Sequence, residues 1–364
     1  MAGFYGMGTS AVVVNSFQDI RKTKKLIVFS AADQALSFEV LTASGEFLTA
    51  DAVSNPDLYW ALKGGGPSTF GIVLSITTKT FPEVPSASII LNINSTHTND
   101  TSLFYKGVAA LHDLSNHWVD HGMFVFYELW TGRFHVQPIL GPNMTAAQIT
   151  EVAKPMFDRL DADGVPYSTS TKEFPTFFDL YIDIFEDETA GSSGLIGGRL
   201  FTKRDIAEHA ADIIEAHRTT VESGTSIYGH IVGPGYGAPR VDNAIHPKWR
   251  EASSFPLTFY SIAGNAPLEE KAQAQNLVTN IVGDALRRAG PYGAAYVNEV
   301  SCCSLWVCMG AHTFDSEHRA ILKSPTGRMP IGAQTTLVCT SSRRSGIRMA
   351  YFMLEELQEQ RIGK

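Results

Sequence analysis

The stretch Asn55-Pro-Asp-Leu-Tyr-Trp-Ala-Leu-Lys-Gly-Gly-Gly-Pro-Ser-Thr-Phe-Gly-Ile-Val73 constrains this chain more than any other. Asn55 suits a helix N-cap, Pro56 the first helical position and Asp57 the positive end of the helix dipole. Gly64 can take the left-handed conformation that ends the helix. Beyond the glycines, Ile72–Phe81 is β-branched and closed by Pro82, which predicts a strand. Upstream, alternation through Leu36, Phe38 and Val40, a Ser44-Gly45 turn and Phe47-Leu48 predict a β-hairpin. The unit is hairpin, helix, glycine turn, strand. Glycines at such a turn have two uses that composition does not separate. They stop a helix, or they let backbone N–H groups approach an anion such as a diphosphate.

The rest of the chain reads as helices and strands in alternation. Helices are expected near Asp100–His121, Thr145–Leu160, Thr202–Val221 and Leu268–Arg288, and strands at Met123–Trp130, Ser226–Val232 and Leu257–Ile262. The fold class expected is α+β, with one sheet covered by helices. At 44% hydrophobic and 18% charged, 364 residues can bury a substantial core. The formal charge of −8 argues against a surface that tracks phosphates, so small molecules are the expected partners rather than nucleic acid. No apolar run reaches the length of a membrane span, and the first 30 residues lack the apolar core of a signal peptide. A monomer is expected, and localisation is left open. Three sequons, Asn94-Ser-Thr, Asn99-Asp-Thr and Asn143-Met-Thr, suit a glycoprotein surface.

Other motifs exclude more than they assign. Gly233-Pro-Gly-Tyr-Gly237 runs into Ala-Pro-Arg instead of a helix, so it lacks the helix N-terminus of a dinucleotide fingerprint. Gly3 to Ser10 has P-loop spacing, with Thr9 where the lysine belongs. His117 and His121 share a helix face without a third ligand, no G-x-S-x-G elbow exists, and no metal is expected. Glu128 lies within the apolar Phe124–Trp130 segment, where burial favours a general base. Glu128, Tyr127 and Tyr260 are the catalytic candidates, and Tyr228 and His230 are further polar tips on predicted strands. Solvent-facing strand positions account for each of them equally well.

Residues 301–364 differ from what precedes them. They hold all four cysteines (Cys302, Cys303, Cys308, Cys339) and eight basic against five acidic residues, leaving 21 basic against 32 acidic in residues 1–300. The tail is expected to be foreign to the fold.

Ala32-Asp33-Gln34 with the following hairpin, Asn55–Gly66 and Thr69-Phe-Gly-Ile-Val73 closely resemble the fungal berberine-bridge-like FAD oxidoreductases. So do Gly198-Arg-Leu200, Asp242–Arg250 and Gly293–Glu299. The resemblance covers residues 31–299. It implies a partial PCMH-type FAD-binding domain at 1–90, a substrate domain at 91–289 and a return to the FAD domain at 290–300. It also implies FAD as cofactor, with Asp33, Gly64, Gly65, Gly66, Thr69, Phe70, Gly71, Ile72, Val73, Tyr296 and Asn298 as its contacts. The activity implied is oxidation of a sugar, alcohol or secondary metabolite, with hydride passing to the flavin and oxygen as acceptor. The family's first FAD-binding half is not matched ahead of residue 31. Two rival expectations are an inactive relative without FAD and a small-molecule binding module.

Overall fold

The computed structural model describes residues 14–16, 27–29, 31–65, 70–79, 82–97, 100–185, 194–235 and 241–296. The tail at 301–364 lies outside the described residues.

Strands β1 (Val14–Ser16) and β2 (Ile27–Phe29) form a two-stranded antiparallel ribbon. A short helix, α1 (Ala31–Gln34), leads into β3 (Ala35–Leu41) and β4 (Phe47–Asp51), the expected hairpin, with Gly45 at φ 83° in its turn. Helix α2 (Pro56–Leu62) follows, and β5 (Ile72–Thr78) completes a three-stranded antiparallel sheet in the order β4-β3-β5. Phe38, Val40, Ala50 and Leu62 form its core. Asn55 precedes α2 in a left-handed conformation and donates its side-chain amide to the Thr49 carbonyl at 2.8 Å, tying the helix entry to β4 instead of capping it.

The second sheet has eight strands and begins with β6 (Ser86–Asn94), so the chain leaves the small sheet between Thr78 and Ser86. Helices α3 (Thr101–His112) and α4 (Ser115–Asp120) replace the single helix expected over 100–121. Strands β7 (Phe124–Trp130) and β8 (Arg133–Pro142), helix α5 (Ala146–Asp163), strand β9 (Ser168–Phe174) and helix α6 (Phe177–Ile184) come next. Then come β10 (Gly194–Gly198), β11 (Phe201–Thr202), α7 (Lys203–Glu222), β12 (Ser226–Ile231) and β13 (Ala252–Ser261). The path is β10-β13-β12-β7-β8-β6-β9, with β11 also on β13, and every pairing is antiparallel. Helix α8 (Leu268–Asn276), a π-helical turn (Leu277–Val282) and α9 (Gly283–Ala289) break up the long helix expected at 268–288.

The helices α3, α5 and α7 cover one face of this sheet. There Ile89, Leu91 and Ile93 of β6, Val125, Tyr127 and Leu129 of β7, and Ile227 and Ile231 of β12 meet Phe104, Val108, Leu111, Met156, Leu160 and Val221. Capping boxes start α5 at Thr145 with Gln148 and α7 at Thr202 with Asp205, fixing where each helix leaves its loop. Strand side chains alternate between faces, so this burial leaves the opposite face of the same strands for other uses.

Candidate functional site

Two surfaces meet at a seam between the small sheet and the segment 241–252. Asp33 anchors it. Its carboxylate accepts from Arg250 Nη1 at 2.5 Å, Arg250 Nη2 at 2.8 Å and Asn243 Nδ2 at 2.6 Å. Arg250 Nη2 donates further to Asn243 Oδ1 at 2.9 Å and the Val241 carbonyl at 3.2 Å. This is a forked, charge-assisted arrangement around a buried carboxylate. Trp60 Nε1 reaches Asp242 Oδ1 at 2.9 Å across the same seam.

Gly64 shows what its missing side chain is for. Its φ is 135°, and a Cβ there would stand 2.3 Å from the Ile245 nitrogen. The backbone of Ala244 and Ile245 lies where a side chain would be. Gly65 donates its N–H to the Ala61 carbonyl at 2.7 Å and closes α2. Gly71, at φ 149°, lies so close to β3 that a Cβ would stand 2.7 Å from the Leu41 carbonyl oxygen. Phe70 and Val73 pack on the small core, while Ile72 is 62% and Leu74 55% exposed on the outer side. Tyr296 is buried, its ring edge-on to Trp249 at 5.6 Å and to Phe255 at 5.9 Å. Gly66, Thr69 and Asn298 lie outside the described residues.

The face of the large sheet opposite α3, α5 and α7, on which α6 packs at Phe124 and Leu140, carries the second surface. Register places Asn92 opposite His135, His135 opposite Glu128, and Glu128 opposite Tyr228, a polar row across β6, β8, β7 and β12. One step along the strands stands an aromatic row of Phe126, His230 and Phe255. On the other side Trp130 lies edge-on to Tyr228 at 6.1 Å and under the Arg133 guanidinium at 4.9 Å. Glu128 is therefore half-buried between aromatic rings, with an imidazole and a phenol as cross-strand neighbours.

Burial and then the Glu128 charge push the Tyr228 phenol up, opposed by a hydrogen bond with Trp130. His135 Nδ1 is 2.6 Å from Asn92 Oδ1 and its Nε2 is 3.1 Å from Gln137 Oε1. Burial lowers its pKa, against the Gln137 hydrogen bond. Burial takes His230 down to about 4, opposed by the Phe255 carbonyl, and its buried Nδ1 has no hydrogen-bond partner among the described residues. Both rings are held toward the neutral form.

Two catalytic candidates stand elsewhere. Tyr127 follows Phe126 and precedes Glu128, so it faces the helices; it is 1% exposed and its hydroxyl is 2.9 Å from His217 Nε2. Tyr260 pairs with Leu195 on the face that carries Thr258, opposite to that of Leu257 and Phe259. Strand alternation alone separates Tyr127 from Glu128, and that signal was available in the sequence. The structure adds Asn92, His135, Asn243 and Arg250, which sequence reasoning did not single out; only their cross-strand or cross-seam partners reveal them. The rings of His117 and His121 lie 4.3 Å apart, tilted at 49°, but His117 Nε2 contacts the Val152 carbonyl and His121 Nδ1 the His117 carbonyl. Among the described residues no group of three His, Cys, Asp or Glu could hold a metal ion.

No protein-family profile matches the chain. The FAD-linked oxidoreductase ZEB1 of Gibberella zeae is 30% identical over 273 residues, covering 74% of this chain and 47% of that protein. The FAD-linked oxidoreductase sor8 of Hypocrea jecorina is 31% identical over 271 residues, covering 74% and 46% respectively. The chain thus spans about half the length of the curated relatives it matches. Among solved structures, the VAO-type flavoprotein MtVAO615 of Myceliophthora thermophila aligns with a TM-score of 0.75 at 21% identity, covering 94% of this chain and 62% of that one. The two-sheet architecture is shared with that flavoprotein fold.

Proposed function

Since the chain is a partial relative of the fungal FAD-linked oxidoreductases, we propose that it supplies one side of an FAD site and the substrate-facing sheet of an oxidoreductase. The substrate proposed is a sugar, alcohol or secondary metabolite with a hydrogen on carbon next to oxygen or nitrogen, and the final acceptor is oxygen. The observation that carries this reading is the half-buried Glu128, flanked by His135 and Tyr228 on the face of the large sheet opposite α3, α5 and α7.

The described residues fit one side of the cofactor. Ile72 and Leu74 leave an exposed apolar surface on the small sheet, and the buried Nδ1 of His230 is unpartnered beside the aromatic row. Phe70 to Val73 and Tyr296 would hold it, joined on the family resemblance by Gly66, Thr69 and Asn298. Asp33 and Gly64, also implied by the resemblance, are engaged at the seam with Arg250 and the Ile245 backbone. Bound FAD supplies a two-electron acceptor for hydride from the substrate carbon. Glu128 takes the substrate's hydroxyl or amine proton. The Tyr228 phenol, held protonated by burial and by the Glu128 charge, donates to the same heteroatom and orients it. Trp130 and Phe126 exclude water along the strand on either side of Glu128.

Glu128→Gln is expected to lower kcat by roughly 10²- to 10⁴-fold, the range for losing a general base, while FAD affinity stays unchanged. Fluorescence titration of FAD into the desalted protein measures the second quantity independently of substrate. Absence of any FAD binding would sink the oxidoreductase reading. It would favour a second one, a ligand-binding relative without flavin.

A further inference from the structure

The three sequons are not equivalent once folded. Asn94 closes β6 opposite Arg133 and is half-buried, and the next residue, Ser95, donates its N–H to the Gly132 carbonyl at 2.8 Å. That tripeptide is held against the β7–β8 turn. Asn99 lies outside the described residues. Asn143 stands in the connection between β8 and α5, exposed, at φ 55°. Its backbone N–H is tied to the Pro85 carbonyl at 2.8 Å, whereas its side-chain amide has no hydrogen bond among the described residues. The sequon's Thr145 is exposed too, and its Oγ accepts from the Gln148 N–H at 3.2 Å as the cap of α5, fixing the turn around the free amide. From Asn143 back to His135 the chain runs along β8, about 3.4 Å per residue, so the polar row lies far from this turn.

We propose that Asn143 is an N-glycosylation site and that Asn94 is not. In the reaction, Asn143 Nδ2 forms a bond to C1 of an oligosaccharide carried on a lipid pyrophosphate. The C1–oxygen bond to the pyrophosphate breaks, the amide loses one proton, and no oxidant or reductant is consumed. The glycan projects from the β8–α5 turn into solvent and leaves the sheet face of Glu128 open.

The test uses the full chain produced through the secretory route of a fungal host, with peptide mass spectrometry before and after enzymatic removal of N-glycans. The expected result is a glycan on the Asn143 peptide and an unmodified Asn94 peptide. Asn143→Gly, which retains the left-handed turn, should abolish the Asn143-dependent gel shift without changing the melting temperature, while Asn94→Gln should leave that shift intact. An unmodified Asn143 peptide overturns the proposal, whether the protein is secreted or retained. So does a gel shift that is fully preserved in Asn143→Gly.

Discussion

Arg250→Ala is expected to cost about 3–5 kcal/mol of folding stability, the range for removing one partner of a buried ion pair. The side chain of Asp33 is 1% exposed and that of Arg250 19%, so the change strands a carboxylate where water scarcely reaches. Asn243 alone remains to satisfy it, through one bond at 2.6 Å. Exposed pairs such as Lys154–Asp158, by contrast, are screened and contribute little. The seam also joins two sheets, so the loss should separate urea unfolding into two transitions, the small sheet melting first. Asp33→Asn combined with Arg250→Ala should recover part of the stability, because no charge is then left unpaired. Urea curves for the single and double variants decide the matter. A single-variant loss under about 1 kcal/mol, the level of a surface pair, would mean that the pair does not clamp the seam.

How much of this was legible in the sequence depended on whether a residue's role was local. The hairpin, α2 and the starts of α5 and α7 follow from neighbours a few positions away, and they emerged close to where the pattern put them. Strand β8 was missed because Pro138, Gly141 and Pro142 contradict a strand pattern, although pairing with β6 and β7 overrides them. Strand β9, Ser-Thr-Ser-Thr-Lys-Glu-Phe, has no apolar alternation because it is an edge strand exposed along nearly its whole length. The site divides in the same way. Glu128 stood out as a carboxylate in an apolar strand, but its neighbours His135 and Tyr228 are set by the register of three strands. Gly64 was conspicuous and its use was not: no local pattern shows that the Ile245 backbone lies against it, 181 positions later.

Acid should begin to destabilise this protein well above the pH at which carboxylates titrate, and the cause lies in its buried histidines. His217 is fully enclosed, with Nδ1 2.7 Å from the Ile213 carbonyl and Nε2 2.9 Å from the Tyr127 hydroxyl. A neutral ring satisfies both, donating from Nδ1 and accepting at Nε2, whereas a charged ring would be enclosed without a counter-charge. Burial lowers its pKa to about 4, against the hydrogen bond to Ile213, and does the same to His230. His112, whose ring lies 4.8 Å from that of His217, is also held well below the ordinary value, by burial and then by its neighbour. The unfolded chain binds protons at these rings near the ordinary value of 6.5, while the folded one does not until about 4. Stability is therefore fully present above roughly pH 6.5 and is lost as pH falls through that window, by up to about 1.4 kcal/mol per pH unit for each histidine. For His217 and His230 together the loss at pH 4 is on the order of 6 kcal/mol, comparable with the whole stability of an ordinary domain. Carboxylates paired in the fold add to the loss only below about pH 4.5, so the interval from 5 to 6.5 isolates the imidazoles. Urea denaturation at pH 7.5, 6.0 and 5.0 measures the slope, and His217→Gln, which keeps a donor and an acceptor, should reduce it by close to one proton. A slope that is flat across this interval, or equal in the variant, would show that these rings fold already protonated or that water reaches them.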